Sequence, residues 1–229
     1  MTNPDIIVSW PVHLDYPLWR QFIHDNRSRF ENVIVVFTQM NAGRDYRPWL
    51  KEQLSKEGII CMDNNVIEAN QDWRDVAINK GLGESHTKWI FFTEQDFFPQ
   101  EGFWDVVDTL SKSTDVVGYF QEGRLHPCCI FIKRKLLNTT SRYFGVVKDK
   151  LDHFGQIQKE LDEKNIPIGI ISPYYGYHLN GLSQNMFLLQ IGEKPNYEPE
   201  KFKEYCQKCL QIDLPIHPEI KKLMEEYLK

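Results

Sequence analysis

Seven short apolar runs limit what this chain can become: DIIVSW (5–10), NVIVVFTQ (32–39), GIICMD (58–63), KWIFFTE (88–94), TDVVGYFQ (114–121), PCCIFIK (127–133) and IPIGIIS (166–172). Each is too short for a typical helix and rich in β-branched or aromatic residues, so each reads as a strand buried in a sheet. Most are followed by a stretch with helical spacing. Trp73, Val76, Ala77 and Lys80 fall at i, i+3, i+4 and i+7, Phe103, Val106, Val107 and Leu110 do the same, and Phe154, Ile157 and Leu161 repeat the stripe. Strands alternating with amphipathic helices imply βαβ crossovers, hence an α/β fold with a mostly parallel sheet flanked by helices.

Beyond residue 173 the pattern changes to a loop rich in Tyr, Gly and Asn, PYYGYHLNGLSQN, and then to two amphipathic helices near 199–211 and 218–228. No Pro-, Gly- or Ser-rich linker intervenes. The expectation is one sheet domain over 1–185 with a C-terminal helical appendage, 186–229, packed on it. Its 229 residues are 41% hydrophobic, enough for a full core, and a net charge of −5 does not advertise a polyanion partner. No apolar run approaches the ~18 to 20 residues of a membrane span, and MTNPDIIVSW lacks a basic n-region, so a soluble, cytoplasmic protein is expected. Five cysteines, an odd number with Cys128 and Cys129 adjacent, do not make a disulfide framework and fit a reducing compartment. Cys206-x-x-Cys209 shares an apolar stripe with Phe202, Tyr205 and Leu210 and has no second CxxC, which points to core packing.

In an open parallel sheet, ligands bind outside the carboxyl ends of the strands. There the chain places Pro11-Val12-His13-Leu14-Asp15, Thr38-Gln39, Asp63-Asn64-Asn65 and Glu94-Gln95-Asp96. No GxGxxG follows the first strand and no GxxxxGK[ST] occurs, which removes the main support for dinucleotide and P-loop readings. Two carboxylates one residue apart at a strand end can instead hold a divalent cation, whose charge neutralises a diphosphate. The same pair could also cap a helix opening near Pro99, since acidic residues suit a helix N-terminus.

Taken together, DWRDVAINKGLGESHTKWIFFTEQD resembles the central block of the GT-A class of nucleotide-sugar glycosyltransferases, family-2-like in its layout. In that class an Arg and an Asn-x-Gly on one helix precede an apolar strand that ends in a DxD-type metal motif. The counterparts are Arg74, Asn79 with Gly81, and Glu94 with Asp96, and the resemblance extends more weakly from the first strand to about residue 180. It implies a GT-A (Rossmann-like) fold and transfer of a sugar from a nucleotide-diphosphate donor, a UDP-sugar above others, to a hydroxyl. It further implies Mn2+ or Mg2+ on Glu94 and Asp96 with His178 completing the shell, and a donor bound by Pro11, Val12, His13, Arg74, Asn79 and Gln95. Asp152, or Asp149 as its substitute, would be the catalytic base of an inverting hexosyl transfer. The motif departs from the family in reading EQD, and strand two ends in FTQ where relatives carry an acidic uracil-gripping turn.

Simpler roles stand beside these: Arg74 as a solvated helix residue, His178 as a hydrogen-bonded loop histidine, Asp152 as an N-cap. The acceptor is open between a glycan, a small molecule and a modified DNA base of the kind phages glycosylate. For the last, KRK (133–135) with Arg142, Lys148 and Lys150 would supply phosphate contacts on the acceptor side. A sugar-phosphate nucleotidyltransferase is the rival enzyme, disfavoured because PVHLDYPLW has no Gly and no cation before Arg20. A GT-A module that binds without catalysing is the non-enzymatic rival.

Overall fold

The computed structural model describes residues 3–39, 44–64, 72–121, 123–146 and 153–229. All seven apolar runs form strands of one sheet: β1 (Asp5–Pro11), β2 (Val33–Thr38), β3 (Ile60–Asn64), β4 (Trp89–Thr93), β6 (Val116–Gln121), β7 (Arg124–Lys133) and β8 (Ile168–Ile171), in the order β3-β2-β1-β4-β7-β6-β8. β3, β2, β1 and β4 run parallel, as do β6 and β8, while β7 is antiparallel to both its neighbours. The expected α/β, mostly parallel sheet is therefore present, with one reversed strand inside it.

Strict alternation sorts the central strands between two layers. Ile6, Val8 and Trp10 of β1, Val33, Val35 and Phe37 of β2, and Trp89 and Phe91 of β4 join one core. Ile7, Ile34, Val36, Ile90 and Phe92 join the other. The first layer is covered by α1 (Pro17–Asn26), α2 (Arg47–Lys56) and α4 (Phe103–Leu110), and the second by α3 (Trp73–Glu84) and α6 (Gly155–Glu163). A short α5 (Arg134–Leu137) follows β7. Phe91 and Phe131 pair across β4 and β7 with rings stacked 4.0 Å apart, a contact worth about 0.5–1.5 kcal/mol beyond its area.

The buried face of α3 is Ala77, Ile78, Gly81 and Leu82, one position round from the stripe expected through Trp73, Val76 and Lys80. Gly81 explains the rotation: a Cβ there would lie 2.5 Å from Ile7 Cγ2, so the helix docks on β1 and β2 through its smallest residue. Trp73 and Arg74 are turned toward the strand ends instead.

After β8 the chain forms β9 (Gly176–His178), α7 (Leu182–Gln190), α8 (Pro199–Cys209) and α9 (Pro218–Tyr227). Phe202, Tyr205, Cys206 and Cys209 of α8 and Ile220 and Met224 of α9 belong to the same core as Trp10 and Trp19; Leu210 and Leu228 pack on its margin. Fully buried Asp15 ties this tail to the loop after β1. It pairs with Arg20 at 2.9 Å and accepts the His217 N–H at 3.0 Å, and Arg20 donates to the Pro215 carbonyl. All five cysteines are free thiols. Among the described residues no helix is long and apolar enough to cross a membrane.

Candidate active site

Parallel strands bring their C-terminal ends to one edge, and the reversed β7 begins at that edge, so Pro11, Thr38, Asn64, Glu94 and Arg124 assemble there. A short ribbon closes it. β5 (Phe97–Pro99) leaves directly from the EQD turn and pairs antiparallel with β9, Phe97 opposite His178, while Leu179 N–H donates to the Asp96 carbonyl at 2.9 Å. This pairing places His178 Nε2 3.4 Å from Asp96 Oδ2. Glu94, Asp96 and His178 each offer a ligand atom within 4.8 Å of the others.

Charge at the cluster is only partly balanced. Glu94 is ion-paired with Arg74. Asp96 Oδ1 is buried and has no hydrogen-bond partner among the described residues. Burial alone would lower the His178 pKa, but the hydrogen bond and charge of Asp96, with Glu94 beside it, hold the imidazole above its ordinary value. Its Nδ1 lies 3.2 Å from Gln121 Oε1. Two hard carboxylates and an imidazole, with one carboxylate oxygen uncommitted, fit a divalent cation such as Mn2+ or Mg2+.

Two cavities meet at Arg74. One, of about 400 Å³, is lined by Glu94, Asp96 and His178 together with Gln121, Arg124, His126 and Asn180. The other, of about 390 Å³, is lined by aromatic and polar groups that include Pro11, His13, Tyr16, Trp73, Gln95, Ser183 and Phe187. Tyr16 donates or accepts a 2.8 Å hydrogen bond with Ser183, and burial pushes its phenol pKa up. His13 is buried, which lowers its imidazole pKa, and its Nδ1 has no partner among the described residues. Arg74 also lies 5.0 Å from the Trp73 ring, so it is held between an aromatic face and a carboxylate.

The residues singled out in the sequence divide accordingly. Pro11, His13, Arg74, Gln95, Glu94, Asp96 and His178 line the two cavities. Gln95 also anchors the EQD turn, its amide donating to the Ser9 carbonyl. Val12 is buried, its N–H given to Thr38 and its carbonyl to Tyr46, so only its neighbours face the opening. Asn79 lines neither cavity: its amide donates to Asp75 and, at 3.2 Å, to the Arg142 carbonyl, tying α3 to the segment before Phe144. Asp149 and Asp152 lie outside the described residues. Tyr16, Ser183, Gln121, Arg124, His126 and Asn180 were not anticipated; they come from turns and strand ends that only the fold brings together.

Of the basic cluster, Lys148 and Lys150 lie outside the described residues, and KRK (133–135) is displaced from the acceptor side. Because β7 is antiparallel, Lys133 pairs with Trp89 at the start of β4, the opposite edge from the EQD turn. Lys133 and Lys135 are both paired with Asp115, and Arg142 donates to Asn138.

No protein-family model matches the chain, and no curated protein does. Solved structures match it along nearly its whole length. They include the mannosyltransferase PcManGT of Pyrobaculum calidifontis in complex with GDP-Man and Mn2+, with a TM-score of 0.55 at 13% identity over 99% of this chain and 69% of that one. Residues 1–349 of TarS from S. aureus match at 0.56 and 13% identity, over 99% and 70%. The glucosyl-3-phosphoglycerate synthase of Mycobacterium tuberculosis, in complex with Mn2+, UDP and phosphoglyceric acid, matches at 0.55 and 12%, over 85% and 80%. The chain has a GT-A fold. At such identities the likeness is one of fold. Within the GT-A fold, the Glu94–Asp96–His178 cluster occupies the strand-end edge where an open α/β sheet binds ligands.

Proposed function

We propose that the protein is a metal-dependent glycosyltransferase whose nucleotide-diphosphate sugar lies across both cavities with its diphosphate at Arg74. The observation that carries this reading is the sharing of Arg74 by an aromatic-walled cavity and a cavity holding two carboxylates and an imidazole, with Asp96 Oδ1 unspent. His13, Trp73 and Phe187 provide faces for a planar base, of UDP above others, and Gln121, Arg124, His126 and Asn180 provide hydrogen-bonding groups around the sugar. When bound at Glu94, Asp96 and His178, Mn2+ or Mg2+ would supply charge to stabilise the departing diphosphate. Arg74 adds a fixed positive charge at the same place, and its pairing with Glu94 and stacking on Trp73 hold it there before the donor arrives.

Inverting transfer needs a base on the face opposite the leaving group, and Asp152, with Asp149 as its substitute, is the candidate. Support comes from the described residues that follow. Phe154 lines a small cavity with Arg74 and Glu94, and Gln158 Oε1 accepts the Leu125 N–H at 2.9 Å, so α6 begins beside the site. The acceptor is a hydroxyl compound, glycan or small molecule before DNA base, because Lys133 and Lys135 lie on the far edge of the sheet, both paired with Asp115. Arg20, the first cation after β1, is spent on Asp15, which leaves a triphosphate-gripping role there without a residue.

Thermal shift with UDP and GDP, in Mn2+ and in EDTA, tests the reading. A nucleotide at 100-fold its Kd should stabilise the protein by about 2.7 kcal/mol, and only with the metal. Equal stabilisation in EDTA would discard the metal role, and metal-dependent binding with no turnover of any sugar nucleotide would leave a binding module.

A further inference from the structure

The carboxylate pair is not the only donor set that includes His178. On β7, His126 and Cys128 stand two residues apart, and β9 brings His178 against them, so that the two imidazoles and the thiol each offer a ligand atom within 4.8 Å of the others. The His126 and His178 rings are 4.4 Å apart. His126 Nδ1 accepts the Cys128 N–H at 3.3 Å, which orients the imidazole on its own strand. Both imidazoles line the 400 Å³ cavity, and Cys128 lies fully buried beside them. Sulfur and nitrogen donors of this kind favour a thiophilic ion over the hard cations that carboxylates prefer.

We propose that His126, Cys128 and His178 form a second metal site, taken by Zn2+ or a similar thiophilic divalent cation, which shares His178 with Glu94 and Asp96. On binding, the Cys128 S–H proton and any second proton on the His178 imidazole pass to solvent, the thiolate forms the bond to the metal, and the neutral imidazoles complete three positions, the fourth being left to water. One imidazole cannot serve both sets at once. Zn2+ therefore competes with the carboxylate-held ion and becomes an antagonist of any Mn2+-dependent step. The site stands on the cluster itself, whether or not sugar transfer occurs.

Titration of the purified chain with Co2+, followed by absorption, tests the site without an activity assay. One equivalent should give a thiolate-to-Co2+ charge-transfer band in the near ultraviolet, bleached by an equivalent of Zn2+ and weakened only by a large excess of Mn2+, which competes for His178 alone. Cys128→Ser should abolish the band, while Cys129→Ser and Asp96→Asn should retain it, with circular dichroism confirming each fold. His126→Gln should weaken Co2+ binding by at least the roughly 10- to 100-fold lost when even an outer partner of a metal ligand is removed. A folded wild type that shows no band, or a Cys128→Ser variant that keeps it, overturns the site. Co2+ bound without a thiolate band and lost in Asp96→Asn would place the ion on the carboxylates alone, which overturns this site and leaves the sugar-transfer reading intact.

Discussion

Asp5, fully buried at the start of β1, and Asp96, partly buried in the turn that follows the neighbouring β4, stand at opposite edges of the sheet, and the protein treats them in opposite ways. Asp5 spends both oxygens. Oδ1 accepts the Asn32 backbone and side-chain N–H groups at 3.1 and 2.9 Å, and Oδ2 accepts Ser85 Oγ–H, His86 N–H and Thr87 N–H at 2.7, 2.9 and 3.2 Å. Asp96 offers one oxygen to His178 and leaves the other without a partner among the described residues. Asn64 Nδ2 and His13 Nδ1, at the same edge as Asp96, are likewise buried and unpaired there. An unmade hydrogen bond on a buried group costs about 1–3 kcal/mol, so these groups add nothing to stability as they stand among the described residues. Among the described residues the N-terminal edge is closed on itself, and the C-terminal edge leaves polar groups that a ligand could meet.

Exchanging the two losses is the sharpest way to break this contrast. Asp96→Asn should lower turnover by roughly 10³-fold, about 4 kcal/mol of transition-state stabilisation, and abolish the Mn2+-dependent nucleotide shift while leaving the melting temperature of the free protein unchanged or higher. Asp5→Asn should do the reverse. Its new NH2 group would face the Ser85, His86 and Thr87 donors, costing about 3 kcal/mol of stability by urea unfolding, with kcat at low temperature unaffected. A destabilised Asp96→Asn with normal turnover would make the EQD turn a structural cap and end the contrast.

A smaller effect belongs to Arg74, which stands between the two cavities. Arg74→Ala should weaken nucleoside diphosphate binding in Mn2+ by about 10- to 100-fold, roughly 1.4–2.8 kcal/mol, measured by calorimetry. Arg74→Lys should recover part of it, because a point charge replaces the planar group that stacks on Trp73 while it pairs with Glu94. Undiminished affinity in Arg74→Ala would confine Arg74 to neutralising Glu94.

The contrast also marks how far the residues speak for themselves. The inner apolar runs read as strands because burial on both faces leaves a continuous hydrophobic signature, whereas the edge strands β3 and β8 are only partly buried. The direction of β7 was not legible from its apolar content; it pairs back on β6 with Arg124 opposite Gln121, and Gly123 just before it takes φ +78°. β7 also starts three residues before Pro127, and the missing Pro127 N–H falls where the β6–β7 register shifts, between the Gly118 and Phe120 pairings. The β5–β9 ribbon, three residues a side, is too short to carry a period, yet it alone delivers His178 to Asp96. Glu94, Asp96 and Arg74 were readable as a motif because they lie close in sequence. Tyr16, Ser183, Gln121 and His126 were not, because nothing local in a polar residue at a strand end says which cavity it will face.

The smallest effect is the pH dependence of the closed edge. Burial by itself would raise the Asp5 pKa, but hydrogen bonds from Ser85, Thr87, His86 and Asn32 outweigh it and hold the carboxyl below its ordinary value. A carboxylate whose pKa is lower folded than unfolded binds fewer protons in the folded state, so its contribution is fully present above the unfolded pKa, near 4, and is lost as pH falls through the folded value. Other carboxylates titrate over the same range, which makes the difference between proteins the useful quantity. The stability gap between wild type and Asp5→Asn should be constant from pH 7 down to about 5 and then close below about pH 4. Protonation explains the closure, since an O–H on Oδ2 would face the same three donors as the amide of the variant. Melting temperatures of the two proteins across that range check it. A gap that persists undiminished at the lowest pH at which both remain folded would show that packing around Asp5, and not its charge, holds the N-terminal edge together.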